Sequence, residues 1–170
     1  VKMTRTGANY SRLLTTGMGG ESRWIDQRGQ LPPELDETMF ERILVPTDGS
    51  ECAEAAIGYA EDLARQYEAT VHVLCVVDSR RLDNTPHLER VKDESTEMVE
   101  SVCDDLAGSN ISVEDTVRTG IPHQEILQYA SQQEIDLIAI GTRGRTGIER
   151  YLLGSITEKV VRLSDVPVLT

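Results

Sequence analysis

Apolar runs of membrane-spanning length are missing from this 170-residue chain. No membrane partner is therefore expected. Cysteine is scarce: Cys52, Cys75 and Cys103 are an odd number, and none has CxxC spacing. That disfavours a disulfide framework or a zinc site and favours a reducing, cytoplasmic setting. The N-terminus carries charge but no apolar core of a leader, so no secretory signal is expected. Lysine is nearly absent, with three residues (Lys2, Lys92, Lys159) against fourteen arginines. The net charge of −12 disfavours nucleic acid as the main partner, because phosphate backbones attract basic surfaces. Excess acid with little lysine resembles proteins of high-salt cytoplasm. Several chemical signatures are also missing. There is no GxxxxGK[ST], no GxGxxG after the first strand pattern, no nucleophile elbow and no HExxH. P-loop hydrolysis and Rossmann dinucleotide chemistry are thereby disfavoured. His72, His87 and His123 are scattered without an evident partner, so packing or surface roles are expected of them rather than catalysis.

What is present divides at Met39. Residues 1–38 hold Gly17, Gly19, Gly20, Gly29 and the Pro32-Pro33 pair, with five basic and five acidic side chains. Neither a period of 2 nor one of 3.6 is sustained there. The segment is read as an N-terminal extension outside the fold, partly disordered. Met39 then marks a natural start downstream of a translated or added piece. The alternative is a native arm that packs on the domain or a partner, with Trp24 as its anchor. The whole charge of −12 falls in residues 39–170, which contain 12 basic and 24 acidic residues.

From Met39 onward strand and helix patterns alternate. Arg42–Pro46 is a short buried strand. Ala53, Ala56, Ile57, Ala60, Leu63 and Ala64 recur at helical spacing, with Ser50 as N-cap. Thr70–Val77 is a second buried strand. Leu88, Val91, Ser95, Met98, Val102 and Leu106 mark a long helix. Ile111, Val113, Asp115 and Val117 alternate as an edge or half-exposed strand would. Pro122 suits the first turn of a third helix with Ile126, Leu127 and Ala130 on its core face. Ile135–Ile140 is the fourth strand, residues 155–163 the fourth helix and Val166–Leu169 the fifth strand. Near-continuous apolar strands joined by helices predict a doubly wound parallel α/β sheet covered on both faces. In such sheets ligands bind beyond the strand carboxyl ends, where the winding reverses.

Two loops carry the chemistry. Pro46-Thr47-Asp48-Gly49-Ser50 follows the first strand, and Gly141-Thr142-Arg143-Gly144 follows the fourth. If those strands are neighbours, both loops face one crevice. Glycine-rich loops turn successive N–H groups towards an anion. Gly154-Ser155-Ile156-Thr157 adds a helix N-terminus with free donors and the favourable dipole end. Arg143 and Arg145 offset phosphate charge. Residues 141–162 hold five basic and two acidic residues in an otherwise acidic chain. Structural readings stand beside these. Ser155-x-x-Glu158 is also a capping box, Gly141 and Gly144 can serve a tight turn, the arginines can be solvated surface, and Asp48 can cap the first helix.

The segments Arg42-Ile-Leu-Val-Pro-Thr-Asp-Gly-Ser50, Val73-Leu-Cys-Val-Val-Asp78, Gly141-x2-Gly144-x9-Gly154-Ser155 and Asp165-Val-Pro-Val-Leu169 resemble the universal stress protein family. The resemblance runs from about Met39 to Thr170, and the glycine pattern is similar to that of its ATP-binding branch. It implies five parallel strands in the order 3-2-1-4-5, a fold like the adenine nucleotide alpha hydrolases, and a homodimer through the last strand. It implies ATP, or ADP or AMP, as ligand, with Mg²⁺ or Mn²⁺ on the phosphates. Asp48 would hold ribose beside Pro46 and Thr47, and the Val76 backbone would meet adenine. Gly141, Arg143 and Gly144 would line ribose and phosphates, with Gly154, Ser155, Ile156 and Thr157 on the phosphates. A stress-response or signalling role with slow or no hydrolysis follows. The alternatives are an ATPase or phosphoryl-transfer enzyme, against which the absence of an SGGxDS-type loop speaks, and an interaction module in which the glycines are only structural.

Overall fold

A computed structural model describes residues 2–5, 8–13, 23–26, 40–81, 85–142, 144 and 153–170; residues up to 26, and 81, 85 and 86, are described as backbone only. Strands β1 (Lys2–Arg5), β2 (Ala8–Leu13) and β3 (Arg23–Asp26) form an antiparallel sheet in sequence order. Arg5 pairs with Ala8, and Leu13 with Arg23. The sequence predicts no regular period and partial disorder over residues 1–38, yet three strands stand within it; the rest of the segment lies outside the described residues.

The main sheet starts with β4 (Arg42–Thr47), followed by α1 (Glu51–Tyr67), β5 (Thr70–Asp78) and α2 (Thr85–Gly108). Next come β6 (Val113–Gly120), α3 (Pro122–Gln132), β7 (Leu137–Ala139), α4 (Ser155–Leu163) and β8 (Val168–Leu169). The five strands are all parallel, in the order β6-β5-β4-β7-β8. Counted from β4, that is the predicted 3-2-1-4-5.

Period-2 alternation sorts the strand side chains between two layers. Ile43, Val45, Val71, Val73 and Cys75 pack with Ala56, Ala60, Ala64, Val99 and Leu106 of α1 and α2. Leu44, Leu74 and Ile138 pack with Ile126, Tyr129, Ala130 and Val160 of α3 and α4. Ile43, Leu44, Val45, Val71, Val73 and Leu74 have no exposed surface. Burying each stabilises the fold by about 1.5–3 kcal/mol relative to exposure. The alanine stripe Ala53, Ala56, Ala60 and Ala64 is the buried face of α1, and its small side chains let the helix lie close to the sheet. β6 is an edge strand with mostly half-buried residues, as its alternation predicted.

Local signals fix the ends of these elements. Ser50 is the N-cap of α1 and its hydroxyl accepts from the Ala53 N–H. Pro122 opens α3. The Asp136 carboxylate accepts the N–H groups of both Glu41 and Arg42 at 2.9 Å, which sets β4 beside the segment entering β7. Two strands are shorter than predicted. Ile135 is still donating to Ala130 at the end of α3, so β7 begins at Leu137. Val166 donates to the Ser164 hydroxyl in a local turn, so β8 begins at Val168.

Candidate functional site

Among sheet neighbours, β4 and β7 lie side by side although three helices and two strands separate them in sequence. The helix after β4 packs on one face and α4, after β7, on the other. The winding reverses between these strands, so a cleft opens beyond their carboxyl ends. It encloses about 540 Å³, including its open mouth.

Its walls come from six elements. Pro46 and Thr47 end β4 and Asp48 follows; Leu74 and Val76 come from β5, and Ile140, Gly141 and Gly144 from the exit of β7. The N-terminal halves of helices add Ala53 from α1, Pro122 and Ile126 from α3, and Ile156 and Thr157 from α4. The interior is apolar, and the polar groups Thr47, Asp48 and Thr157 join the Gly141 and Gly144 backbone. A cleft of this kind suits a flat apolar ring system carrying polar or anionic groups.

The two glycine-containing loops meet, as the sequence predicted. A Cβ on Gly144 would lie 2.6 Å from Asp48 Oδ2. Asp48 Oδ1 accepts the Ser50 N–H at 3.1 Å, so its carboxylate is oriented by its own loop. Gly49 has φ +70°, and a Cβ there would lie 2.7 Å from Met98 Sδ of α2. The left-handed backbone favours glycine at that position, whereas the flexible Met98 side chain could give way to a Cβ. Gly141 lies against the first turn of α1, where a Cβ would come within 2.7 Å of Cys52 backbone atoms.

The start of α4 differs from one reading of its sequence. Gly154, with φ −61° and ψ 148°, is the N-cap, and no side chain bonds the first turn. Ser155 is the first helical residue and exposed, so Ser155-x-x-Glu158 is not a capping box here. The Gly154 N–H donates to the Thr142 carbonyl at 2.8 Å, which pulls the chain into the extended conformation one residue before Ser155. With no side chain at the cap, the first-turn donors of α4 remain for solvent or a ligand. Thr157 is buried and its hydroxyl donates to the Gly141 carbonyl at 2.8 Å, tying α4 to the loop after β7.

Of the predicted site residues, Pro46, Thr47, Asp48, Val76, Gly141, Gly144, Ile156 and Thr157 line the cleft. Gly154 and Ser155 begin the helix beside it without lining it. Arg143 and Arg145 lie outside the described residues. Sequence reasoning missed Ala53, Leu74, Pro122, Ile126 and Ile140. The signal for Leu74 was its place two residues before Val76 on one strand face, and for Ile126 its place one turn after Pro122.

The histidines also resolve. His123 lies in the first turn of α3, where burial and the charges of Lys159 and Arg80 lower its pKa. His87 meets Arg90 at 3.1 Å on α2. His72, for which no partner was evident in the sequence, is buried against Tyr129 and Glu114. No group of three His, Cys, Asp or Glu side chains among the described residues converges as a metal site would. No helix among the described residues is long and apolar enough to cross a membrane.

Comparison with known proteins agrees with this fold. The family model described as the universal stress protein family matches residues 39–170. A universal stress protein of Methanocaldococcus jannaschii is 32% identical over 140 residues, covering 78% of this chain and 82% of that protein. The solved structure of a second protein of that name from the same archaeon is 33% identical, with a TM-score of 0.66, covering 77% of this chain and 94% of the other. A universal stress protein of Archaeoglobus fulgidus solved in complex with dAMP shares the fold, with a TM-score of 0.60 at 21% identity over 77% of this chain and 97% of that one. The sheet order, the cleft at the winding reversal and the family match over 132 residues lead to one conclusion: the chain belongs to the universal stress protein family.

Proposed function

We propose that this protein binds an adenine nucleotide, ATP foremost with ADP and AMP as the alternatives, and acts as a nucleotide-dependent stress-response or signalling module. The observation that carries the reading is the junction of the two loops. Asp48 lies against Gly144 at the mouth of an apolar cleft, and α4 begins beside it with an N-cap that has no side chain. The purine enters among Val76, Pro122 and Ile126, ribose hydroxyls meet the Asp48 carboxylate, and phosphates meet the loop after β7 and the donors at the start of α4. The A. fulgidus protein with dAMP is a case of this fold holding an adenine nucleotide. The Gly154 N–H and the Thr157 hydroxyl are already bonded to the loop, so the phosphate contacts fall to the N–H groups of Ser155, Ile156 and Thr157, with Gly141, Gly144 and Arg143 on ribose and phosphates. Mg²⁺ or Mn²⁺ arrives on the phosphates.

Slow or absent hydrolysis fits the lining. Asp48 is its only carboxylate among the described residues, and one of its oxygens is already bonded to the Ser50 N–H. Binding then acts through contacts with partners or a second copy, paired along the outer edge of β8, in the cytoplasm. Residues 1–38 remain an appendage to the 39–170 domain in this reading.

The test is equilibrium dialysis of ATP–Mg²⁺ against the purified chain and its Gly144→Val variant, with mass spectrometry of nucleotide released from the native protein. An adenine nucleotide should be recovered, and the variant should bind at least tenfold more weakly, because its added atoms meet the Asp48 carboxylate. A loss of about 1.4 kcal/mol corresponds to that factor. Undiminished affinity in Gly144→Val would sink the site assignment, and no binding by the wild type would leave the interaction-module reading.

A further inference from the structure

His72 lies at the opposite end of β5 from the cleft and has no role in it. The residue is 2% exposed and stands between Leu44 of β4 and Glu114 of β6 in the sheet register. Nδ1 lies 3.1 Å from the Tyr129 hydroxyl and 3.5 Å from Glu114 Oε2. Nε2 is buried and has no hydrogen-bond partner among the described residues. The His72 and Tyr129 rings meet edge to face, with centroids 5.9 Å apart.

The seam that buries His72 is also a wall of the cleft. His72, Leu74 and Val76 are alternate residues on one face of β5, and Leu74 and Val76 line the cleft. Pro122, Ile126 and Tyr129 rise along one side of α3, and Pro122 and Ile126 line the cleft. Helix α3 therefore presses one end of its core face on the ligand space and the other on His72. Arg118 of β6 holds the same helix, with its guanidinium 4.8 Å from the Tyr129 ring centroid and bonded to Gln132.

A neutral ring leaves one unpaired nitrogen in this seam. A protonated ring would place a charged N–H at Nε2 where no acceptor stands among the described residues, a cost that is relieved when the seam opens to water. We propose that His72 is a proton-operated latch on the α3–β5 seam, so that proton uptake there loosens the wall of the nucleotide cleft and weakens ligand binding. The proposal rests on the nucleotide reading above. The charged and titratable groups around the ring are Arg42 from β4, Glu114 from β6, Tyr129 from α3 and Glu134 beyond α3, with Arg118 of β6 over the Tyr129 ring. Burial is the largest influence and lowers the His72 pKa, Glu114 raises it, and Arg42 lowers it. The neutral ring is the closed state. Affinity is therefore full above the ordinary imidazole range and is lost as pH falls through the depressed folded-state value.

The experiment compares ATP–Mg²⁺ affinity at pH 7.5 and pH 5.0 for the wild type and His72→Gln. Titration of the nucleotide itself enters both proteins alike. The wild type should lose at least about fivefold more affinity than the variant, the lower end of ordinary coupling between sites. Reciprocity supplies a second readout that needs no variant: saturating nucleotide must move the His72 imidazole titration, followed by NMR, to lower pH. Binding at pH 7.5 with parallel pH profiles in the two proteins, or a His72 midpoint unmoved by nucleotide, overturns the latch alone. No binding at pH 7.5 overturns the nucleotide reading and the latch with it.

Discussion

Replacing Gly141 by alanine tests how tightly the exit of β7 is held against α1. The new Cβ would lie 2.7 Å from the carbonyl carbon and oxygen of Cys52 and 2.9 Å from the Ala53 nitrogen. All three are backbone atoms of the first turn of α1, so no side chain can rotate away. Either that turn or the loop must move, and both line the cleft. Overpacking of this kind costs about 1–3 kcal/mol, and the smaller entropy of the alanine-containing unfolded chain returns roughly 0.4–1 kcal/mol. At the midpoints of these ranges the net loss is about 1.3 kcal/mol, or a fall in Tm of roughly 3–5 °C for a chain of this size. Gly58→Ala is the matched control. That residue is inside α1 and its Cβ would meet nothing within 4 Å. The same chemical change there should stabilise the protein by about 0.5–1 kcal/mol through helix propensity. Urea denaturation of the two variants and wild type reads both effects. A Gly141→Ala protein as stable as wild type, or the same sign of change in both variants, would refute the packing argument.

Two further outcomes are expected. Asp136→Ala should destabilise the domain by about 1–3 kcal/mol, because two N–H groups at the start of β4 lose a charged acceptor; a change below 0.5 kcal/mol (roughly, the range of ordinary surface substitutions) in urea titration would show that the pair is unimportant. Cys103, whose pKa is pushed up to about 11 by burial and by Asp115 and Asp104, should stay a thiol at pH 8. Its thiolate fraction there is about a hundredfold below that of a thiol at 9.0, so native Cys103 should be alkylated correspondingly more slowly than in the unfolded chain. Peptide mass spectrometry after timed iodoacetamide treatment checks this, and equal native and unfolded rates would contradict the burial.

Much of the domain was legible because its signals are local. Apolar runs at Ile43–Val45 and Val71–Val77 mark buried strands, and the alanine spacing marks the core face of α1. Pro122 and Ser50 mark helix starts through backbone chemistry that does not depend on the rest of the fold. The sequence also predicted that the Asp48 loop and the Gly141–Gly144 loop share a crevice, through the expected adjacency of the first and fourth strands. The capping box at Ser155 failed for a non-local reason. A bond from Gly154 to Thr142 sets the helix start, and the pattern Ser-x-x-Glu cannot register it.

The sequence by itself determined the succession of elements, the parallel character of the sheet and the family, because periodicity, caps and glycine spacing act within a few residues of one another. Tertiary structure alone decided which side chains share a space. It brought Leu74, Ile126 and Ile140 into the cleft beside the predicted loops. It gave Thr157 a structural bond to Gly141, and it placed His72 against a tyrosine 57 residues away. Such contacts depend on strand order and on how α3 lies across β5. Those features arise only when distant apolar faces are buried together, and no local pattern encodes them.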